Sequence, residues 1–454
     1  MRAPIVLGLA FVGILLGSPS VFAAGADSTK WTAGVATVDI TPEGSVWMAG
    51  YGFRNKPSEG ISQRLFAKAL AIADGSGNRL VMVTLDLIGV PRSLRDKMEL
   101  QLRDRHGLAP ESILLNASHT HSGPSPYGRG VTDPAFVAKA EAYGALLEQK
   151  VFDVIGQALG RMEPASLSYS HARAGFAMNR RLHVGTDIRN SPNPDGPVDH
   201  DVPVLRVAGA DGKMRAVLFG YACHNTTTGF YTINADYAGF AQAYLEEAHP
   251  GVTALFLMGA GGDQNPYPRS ASMEQTAQHG RALANGVEAA LAVATLRPIH
   301  GPLRSGFGHA ELEYADSDKA ALERRAKSRD AAEKKRAEEL LAQFASSPGL
   351  PNSYPCPVQV VQFGRDLTLI AIGGETTVEY SLRLKRELAQ GGMPVWVAGY
   401  SNDVFGYLGS RRIIIEGGYE GYSANFNRHP GPWRPTAEDR VIEKAYDLIR
   451  SINH

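Results

Sequence analysis

Asn116-Ala117-Ser118-His119-Thr120-His121-Ser122-Gly123-Pro124 follows directly on the apolar run Ile113-Leu114-Leu115. A short strand running into a Gly-Pro turn sends alternate side chains the same way, so His119 and His121 are expected on one face at the strand's carboxyl end. Open α/β sheets build their sites at that end of their strands. The stretch therefore predicts an α/β fold and marks this strand end as the start of a candidate site.

The 454 residues and 44% hydrophobic content suffice for a sizeable core. Lys+Arg and Asp+Glu both number 46, so no net field favours nucleic acid or an anionic membrane surface, and a small-molecule or lipid partner is expected instead. Arg2, the apolar run Ile5 to Leu16 and the small residues around Ala23-Ala24 have the layout of a secretory signal peptide over residues 1–23. The apolar stretch is short of the roughly 20 residues a bilayer span needs. No later segment qualifies as a span, so a secreted or periplasmic location follows. Cys223 and Cys356 are the only cysteines, which allows one bridge or two buried free thiols but no disulfide framework.

Residues 24–454 contain no internal repeat and no Gly/Ser linker, and one domain is expected. Phe66 to Ala73 and Leu80 to Leu87 read as paired strands around a polar Gly-rich turn. Asp86 closes the second, either capping the helix expected from Arg92 to His106 or standing behind the site. Asp133-Pro134 starts a long amphipathic helix through Leu159. Ser166 to His171, Val202 to Val207 and Met214 to Ala222 read as strands, with Asn179-Arg180-Arg181 as a basic loop element between the first two. The third of these delivers Cys223-His224-Asn225. A helix from Asp236 to His249 precedes the strand Ala254 to Met258, which runs into Gly259-Ala260-Gly261-Gly262-Asp263-Gln264-Asn265-Pro266. Three glycines in four residues imply either a close approach of backbone to a bound group or tight packing.

Asp316 to Phe344 interleaves acidic and basic residues and reads as a solvated helix or helical hairpin, not a nucleic-acid helix. Val358 to Phe363 and Leu367 to Ile372 form a strand pair that ends at Gly374-Glu375-Thr376-Thr377, where Glu375 could cap the next helix. Val395 to Ala398 leads to Asn402 through Tyr407, a loop holds Gly417-Gly418-Tyr419-Glu420, and a final helix spans Ala437 to Ile452.

Five of these motifs sit at carboxyl ends of expected strands and should converge on one rim. His, His and a carboxylate suit zinc, and a catalytic zinc keeps one position for water. The five blocks, in this order, resemble the catalytic domain of neutral/alkaline, non-lysosomal ceramidases over nearly the whole chain after the signal. That resemblance implies a mixed sheet flanked by helices, with Zn2+ held by His119, His224, Glu375 and Tyr407. It implies His121 as a proton carrier or oxyanion partner and Arg180 as a stabiliser of the developing charge. The reaction implied is hydrolysis of an N-acyl amide, ceramide or a ceramide-like lipid, by zinc-activated water. In the family's Gly-Asp-x-Ser-Pro-Asn block a serine lines the site, whereas this chain has Asn265, which is no nucleophile but can hydrogen-bond substrate. The family pattern also includes a carboxyl-terminal β-sandwich, expected to be absent here because the sequence stops at His454. Two other readings stay open: a zinc esterase or deacylase of a non-sphingolipid substrate, and a non-catalytic binding protein for acyl amides. Oligomeric state has no signature in the sequence.

Overall fold

The computed structural model describes residue 1 and residues 30–453 apart from 129–130, 132, 270–271, 294–295, 316, 330, 347–349, 390–391 and 424–428. The expected signal peptide lies outside the described residues. Among those described, no helix is long and apolar enough to cross a membrane.

Four layers form the core. A nine-stranded mixed sheet runs in the order Thr253–Met258, Met214–Tyr221, Asp201–Gly209, Glu163–Arg173, Trp31–Asp39, Phe66–Ala73, Arg79–Leu85, Ile113–Ala117, with Arg297–Ile299 added beside Glu163–Arg173. Its central pairings are antiparallel, while each outer pair is parallel. Parallel neighbours need a crossover, and the chain supplies one for each pair: Arg92–His106 on one side, Asp236–Ala248 on the other. Both crossovers follow the expected helical spans almost to the residue.

Those helices, joined by Pro134–Gly160 and Met273–Leu291, cover one face of the sheet. Val81, Val83, Leu94, Met98, Leu147 and Val151 pack together in one half, and Phe219, Phe256, Tyr237 and Leu283 in the other. The opposite face meets a second, four-stranded sheet made of Leu303–Glu313, Ser353–Phe363, Leu367–Ile372 and Val395–Ala398. Leu80, Met82, Leu218 and Leu255 of the first sheet pack on Val361, Phe363, Leu369 and Trp396 of the second. Gly220 is required at this contact, because a Cβ there would lie 2.8 Å from Trp396 Nε1. Val378–Leu388 and Ala437–Ser451 close the outer face of the second sheet through Tyr380, Leu384, Val441 and Ile442.

The two edges of the large sheet are drawn together by Asn116, which is fully buried. Its Nδ2 donates to Met258 O at 3.3 Å, Gly399 O at 2.8 Å and Ser401 Oγ at 3.1 Å, and its Oδ1 accepts from Met258 N at 2.8 Å. One carboxamide thus joins the ends of three strands distant in sequence.

Several expectations change. Asn179-Arg180-Arg181 lies in a strand, Ala177–Val184, of a small sheet between Gln264–Pro266 and Asp187–Asn193. The sequence reading did not foresee the strand Leu303–Glu313 or the helix Met273–Leu291. Cys223 and Cys356 are both buried and free. The polar segment forms two helices, Lys319–Arg325 and Ala331–Ser346, as a helical hairpin would.

Asp86 does not cap its helix, which starts after Pro91 without a side-chain cap. Its carboxylate instead accepts from Phe66 N at 2.9 Å. Burial raises its pKa to about 6, against the pull of Lys68. An acid whose pKa rises on folding contributes stability while protonated and loses it as pH climbs from the unfolded value, about 3.9, through about 6. Asp86→Asn is therefore expected to match the wild type near pH 4 and to be more stable by about 2–3 kcal/mol near pH 7. Urea unfolding at both pH values checks this, and equal differences at both would contradict it.

Candidate active site

The strand Ile113–Ala117 ends before the histidines, and His119 takes a left-handed conformation at φ +63°. Strand alternation is thus not what brings His119 and His121 together. A reversal pinned by backbone bonds does so: Ser118 N to Leu85 O, His119 N to Leu87 O and His121 N to Asn225 O. The two Nε2 atoms come within 3.0 Å.

His224 arrives from the end of Met214–Tyr221, and Glu375 from a short strand after Leu367–Ile372. Glu375–Thr376 pairs in parallel with Tyr407–Leu408, with Glu375 directly opposite Tyr407. Glu375 Oε2 lies 3.2 Å from His119 Nε2 and 3.5 Å from His224 Nε2, and Tyr407 Oη lies 3.3 Å from His224 Nε2. The helix that follows has Thr377 at its N-cap with no side-chain bond, so Glu375 does not serve as a cap.

His119 and His224 each give Nδ1–H to a carbonyl, Ile88 O at 2.6 Å and Gly261 O at 2.7 Å. A carbonyl can only accept, which leaves both Nε2 lone pairs facing the centre, as hydrogen bonds to the far ring nitrogen do for ligating histidines. Burial, assisted by the Arg180 charge, pushes the His224 pKa down to about 3 and keeps the ring neutral. His121 differs. Burial and the two neighbouring histidines hold its pKa well below the usual value, and its Nδ1 is buried without a partner among the described residues. Tyr51 covers it, ring centroids 4.9 Å apart, and Gly50 lets the covering loop approach, since a Cβ there would lie 2.5 Å from the imidazole. His119, His121 and His224 have ligand atoms within 4.8 Å of one another, a group able to hold a metal ion.

Arg180 is buried on the other side of Tyr407. Its Nη2 donates to Tyr407 Oη at 2.9 Å, its Nη1 to Asn265 Oδ1 at 3.1 Å and its Nε to Glu420 Oε1 at 2.8 Å. Burial alone would lower its pKa, but Tyr407 and Glu420 carry it well above the usual arginine value. Burial keeps the Tyr407 phenol protonated, well above its ordinary range, despite Arg180. A phenolate at this position needs additional positive charge nearby.

The structure thus gathers His119, His121, His224, Glu375, Tyr407, Arg180 and Asn265 in one connected cluster. Sequence reading did not assign roles to Tyr51, Glu420 or Asp263. Asp263 accepts from Val378 N at the start of the following helix and from Asn179 Nδ2, and its carbonyl accepts from Arg180 N. It ties Arg180's strand to the helix that follows Glu375. The glycines around it meet protein, not ligand: a Cβ on Gly262 would lie 2.5 Å from Glu375 O, and one on Gly261 2.6 Å from Cys223 N. Glycine-flanked loops at 50–52 and 417–420 were the only signals for Tyr51 and Glu420.

Glu420 also accepts from Arg181 Nη1 at 2.7 Å, and the three side chains are almost wholly buried. Removing one member of a buried ion network leaves charge uncompensated. Glu420→Gln is expected to cost about 3 kcal/mol in urea unfolding. A loss under about 1 kcal/mol would show that Glu416, which also pairs with Arg181, compensates.

Residues 31–294 match the family model described as neutral/alkaline non-lysosomal ceramidase, N-terminal. The neutral ceramidase of Mycobacterium tuberculosis is 25% identical over 503 residues, covering 92% of this chain and 77% of its own. That of Pseudomonas aeruginosa is 28% identical over 255 residues, covering 53% of this chain and only 38% of its own. The solved structure of neutral ceramidase from Pseudomonas aeruginosa has the same fold, with a TM-score of 0.72 at 22% identity over 92% of this chain and 74% of that one. With more than half of its sequence matched by the family model and its fold shared, the chain belongs to the neutral/alkaline non-lysosomal ceramidase family.

Proposed function

We propose that this chain is an exported zinc-dependent amidohydrolase that cleaves an N-acyl amide, ceramide or a ceramide-like lipid, into a fatty acid and an amine. The observation that carries the reading is the spacing of the donors. A tetrahedral site with bonds of about 2.0–2.1 Å has donors separated by about 3.3–3.4 Å. The contacts from His119 to Glu375, Glu375 to His224 and His224 to Tyr407 measure 3.2, 3.5 and 3.3 Å. Neutral imidazoles with inward lone pairs, a carboxylate and a phenol suit zinc, and these four residues would hold it.

Bound there, zinc would polarise the acyl carbonyl and bring the pKa of water to about 7. The chain's own groups complete the chemistry. Hydrolysis places a hydroxyl on the acyl carbon, breaks the bond to nitrogen and delivers a proton to the departing amine. His121, neutral and beside His119, would carry that proton. Arg180, fixed by Glu420, holds positive charge next to Tyr407, where negative charge gathers as the carbonyl is attacked. Tyr51 packs over one side of His121.

The test is elemental analysis of purified protein together with fatty acid release from ceramide, N-acyl amino acids and simple esters. About one zinc per chain with amide cleavage supports the reading. Zinc with ester cleavage alone would make it an esterase, and zinc with no turnover would make it a binding protein.

A further inference from the structure

Arg54 is buried, with 6% of its surface exposed, yet the ionisable groups that act on it are the phenols of Tyr51 and Tyr231 and no carboxylate. Burial draws its pKa down to about 10, so the guanidinium stays charged at neutral pH. A buried charge without a counter-ion is costly unless strong hydrogen bonds replace the pairing. Three backbone carbonyls supply them. Nη1 donates to Ala49 O at 2.6 Å and to His121 O at 2.5 Å, and Nη2 to Phe230 O at 2.9 Å. Arg54 is the only donor to each of these carbonyls among the described residues. The guanidinium also lies over the Tyr51 ring, 4.8 Å from its centroid. One side chain thus ties the loop bearing Tyr51 to the turn bearing His121 and to the segment around Phe230.

His119 and His224 are each steadied by a carbonyl behind the ring, whereas the Nδ1 of His121 is buried without a partner among the described residues. His121 is fixed through its backbone instead: its N–H donates to Asn225 O at 3.2 Å, and its carbonyl is held by Arg54. Tyr51, whose ring packs on the imidazole, is held by the same guanidinium. We propose that Arg54 is the positioning residue for His121, fixing through that carbonyl and the Tyr51 ring where the imidazole stands beside His119. This rests on the amidohydrolase reading, in which His121 carries the proton. Arg54 donates to none of the proposed zinc ligands, so its effect on turnover passes through His121. A residue serving the fold alone would matter equally with and without that imidazole, whereas one that places it matters only while it is there.

The experiment is a double-mutant cycle on the full zinc-loaded protein: wild type, Arg54→Lys, His121→Ala and the two combined. Fatty acid release is followed from whichever of N-dodecanoylsphingosine and N-dodecanoylglycine the wild type cleaves faster. Arg54→Lys keeps the charge, but one ammonium on a shorter stem cannot hold three carbonyls as a planar fork does. In the wild-type background it is expected to lower kcat by about 10-fold to 10²-fold, with KM, zinc content and Tm unchanged. In the His121→Ala background the same substitution should change kcat by less than about twofold. Deuterium exchange on the zinc-free protein gives a readout independent of turnover: residues 47–58, 119–125 and 228–234 should all exchange faster in Arg54→Lys. Arg54→Gln, which removes the buried charge and leaves one carboxamide donor, is carried through the same cycle and remains the test if the lysine variant does not fold.

An equal loss of kcat in both backgrounds shows a structural role and overturns the inference, as does a kcat within about twofold of the wild type in Arg54→Lys. Unchanged exchange over 119–125 overturns it too, and each of these results leaves the hydrolase reading standing. If the wild type cleaves neither amide, the hydrolase reading falls and this inference with it.

Discussion

His224→Ala is expected to strip the site of zinc and abolish turnover while the chain stays folded. Loss of an outer-shell partner alone costs about 10–100-fold in metal affinity, so loss of a direct ligand is expected to cost more than about 100-fold. Turnover should fall by at least about 10³-fold, because water with an ordinary pKa is scarcely ionised at neutral pH. The ring is buried between Gly261 and Tyr407, and its removal leaves a cavity and takes from the Gly261 carbonyl one of its two donors, the other being Gln264 N at 3.0 Å. Urea unfolding should register about 1–3 kcal/mol for that. His121→Ala is the informative control. Its Nδ1 has no carbonyl behind it, unlike those of His119 and His224, so zinc content should be unchanged while turnover drops by about 10²-fold or more. Elemental analysis of both variants beside their rates separates a ligand from a proton carrier. Full metal in His224→Ala would refute the site, and lost metal in His121→Ala would move His121 into the ligand set.

The second large effect is expected at Arg180. Arg180→Lys keeps the charge but cannot span Tyr407, Asn265 and Glu420 at once, since one ammonium replaces a planar fork. The expected outcome is a fall of about 10²–10³-fold in kcat with KM changed little, the signature of a group that acts on charge developing in the transition state. Zinc content should persist, because Arg180 touches one proposed ligand and supplies none. A variant whose KM rises while kcat holds would assign Arg180 to ground-state binding instead.

Sequence reading and structure part company at identifiable places. The helices Arg92–His106, Pro134–Gly160 and Asp236–Ala248 were legible because 3.6-residue periodicity and boundary signals such as Asp133-Pro134 are local properties. Glu375 looked equally suited to capping or to the site, since nothing nearby in the chain reveals that Tyr407 lies opposite it. Arg180 was read as part of a loop because its strand pairs with Gln264–Pro266, far along the chain. Glu420 has only a glycine-flanked loop to mark it. Its importance comes from two arginines about 240 residues away.

The histidine, carboxylate and tyrosine motifs, in the order of a known family, are legible along the chain because such signals depend on neighbours within a few residues. The folded state alone settles that the edges of the large sheet meet through Asn116 and that His119 turns left-handed. It also decided that the carboxamide oxygen of Asn265 faces Arg180 and Thr226. Those outcomes depend on which distant groups share buried space and must satisfy one another's hydrogen bonds there, and no stretch of chain carries that information alone.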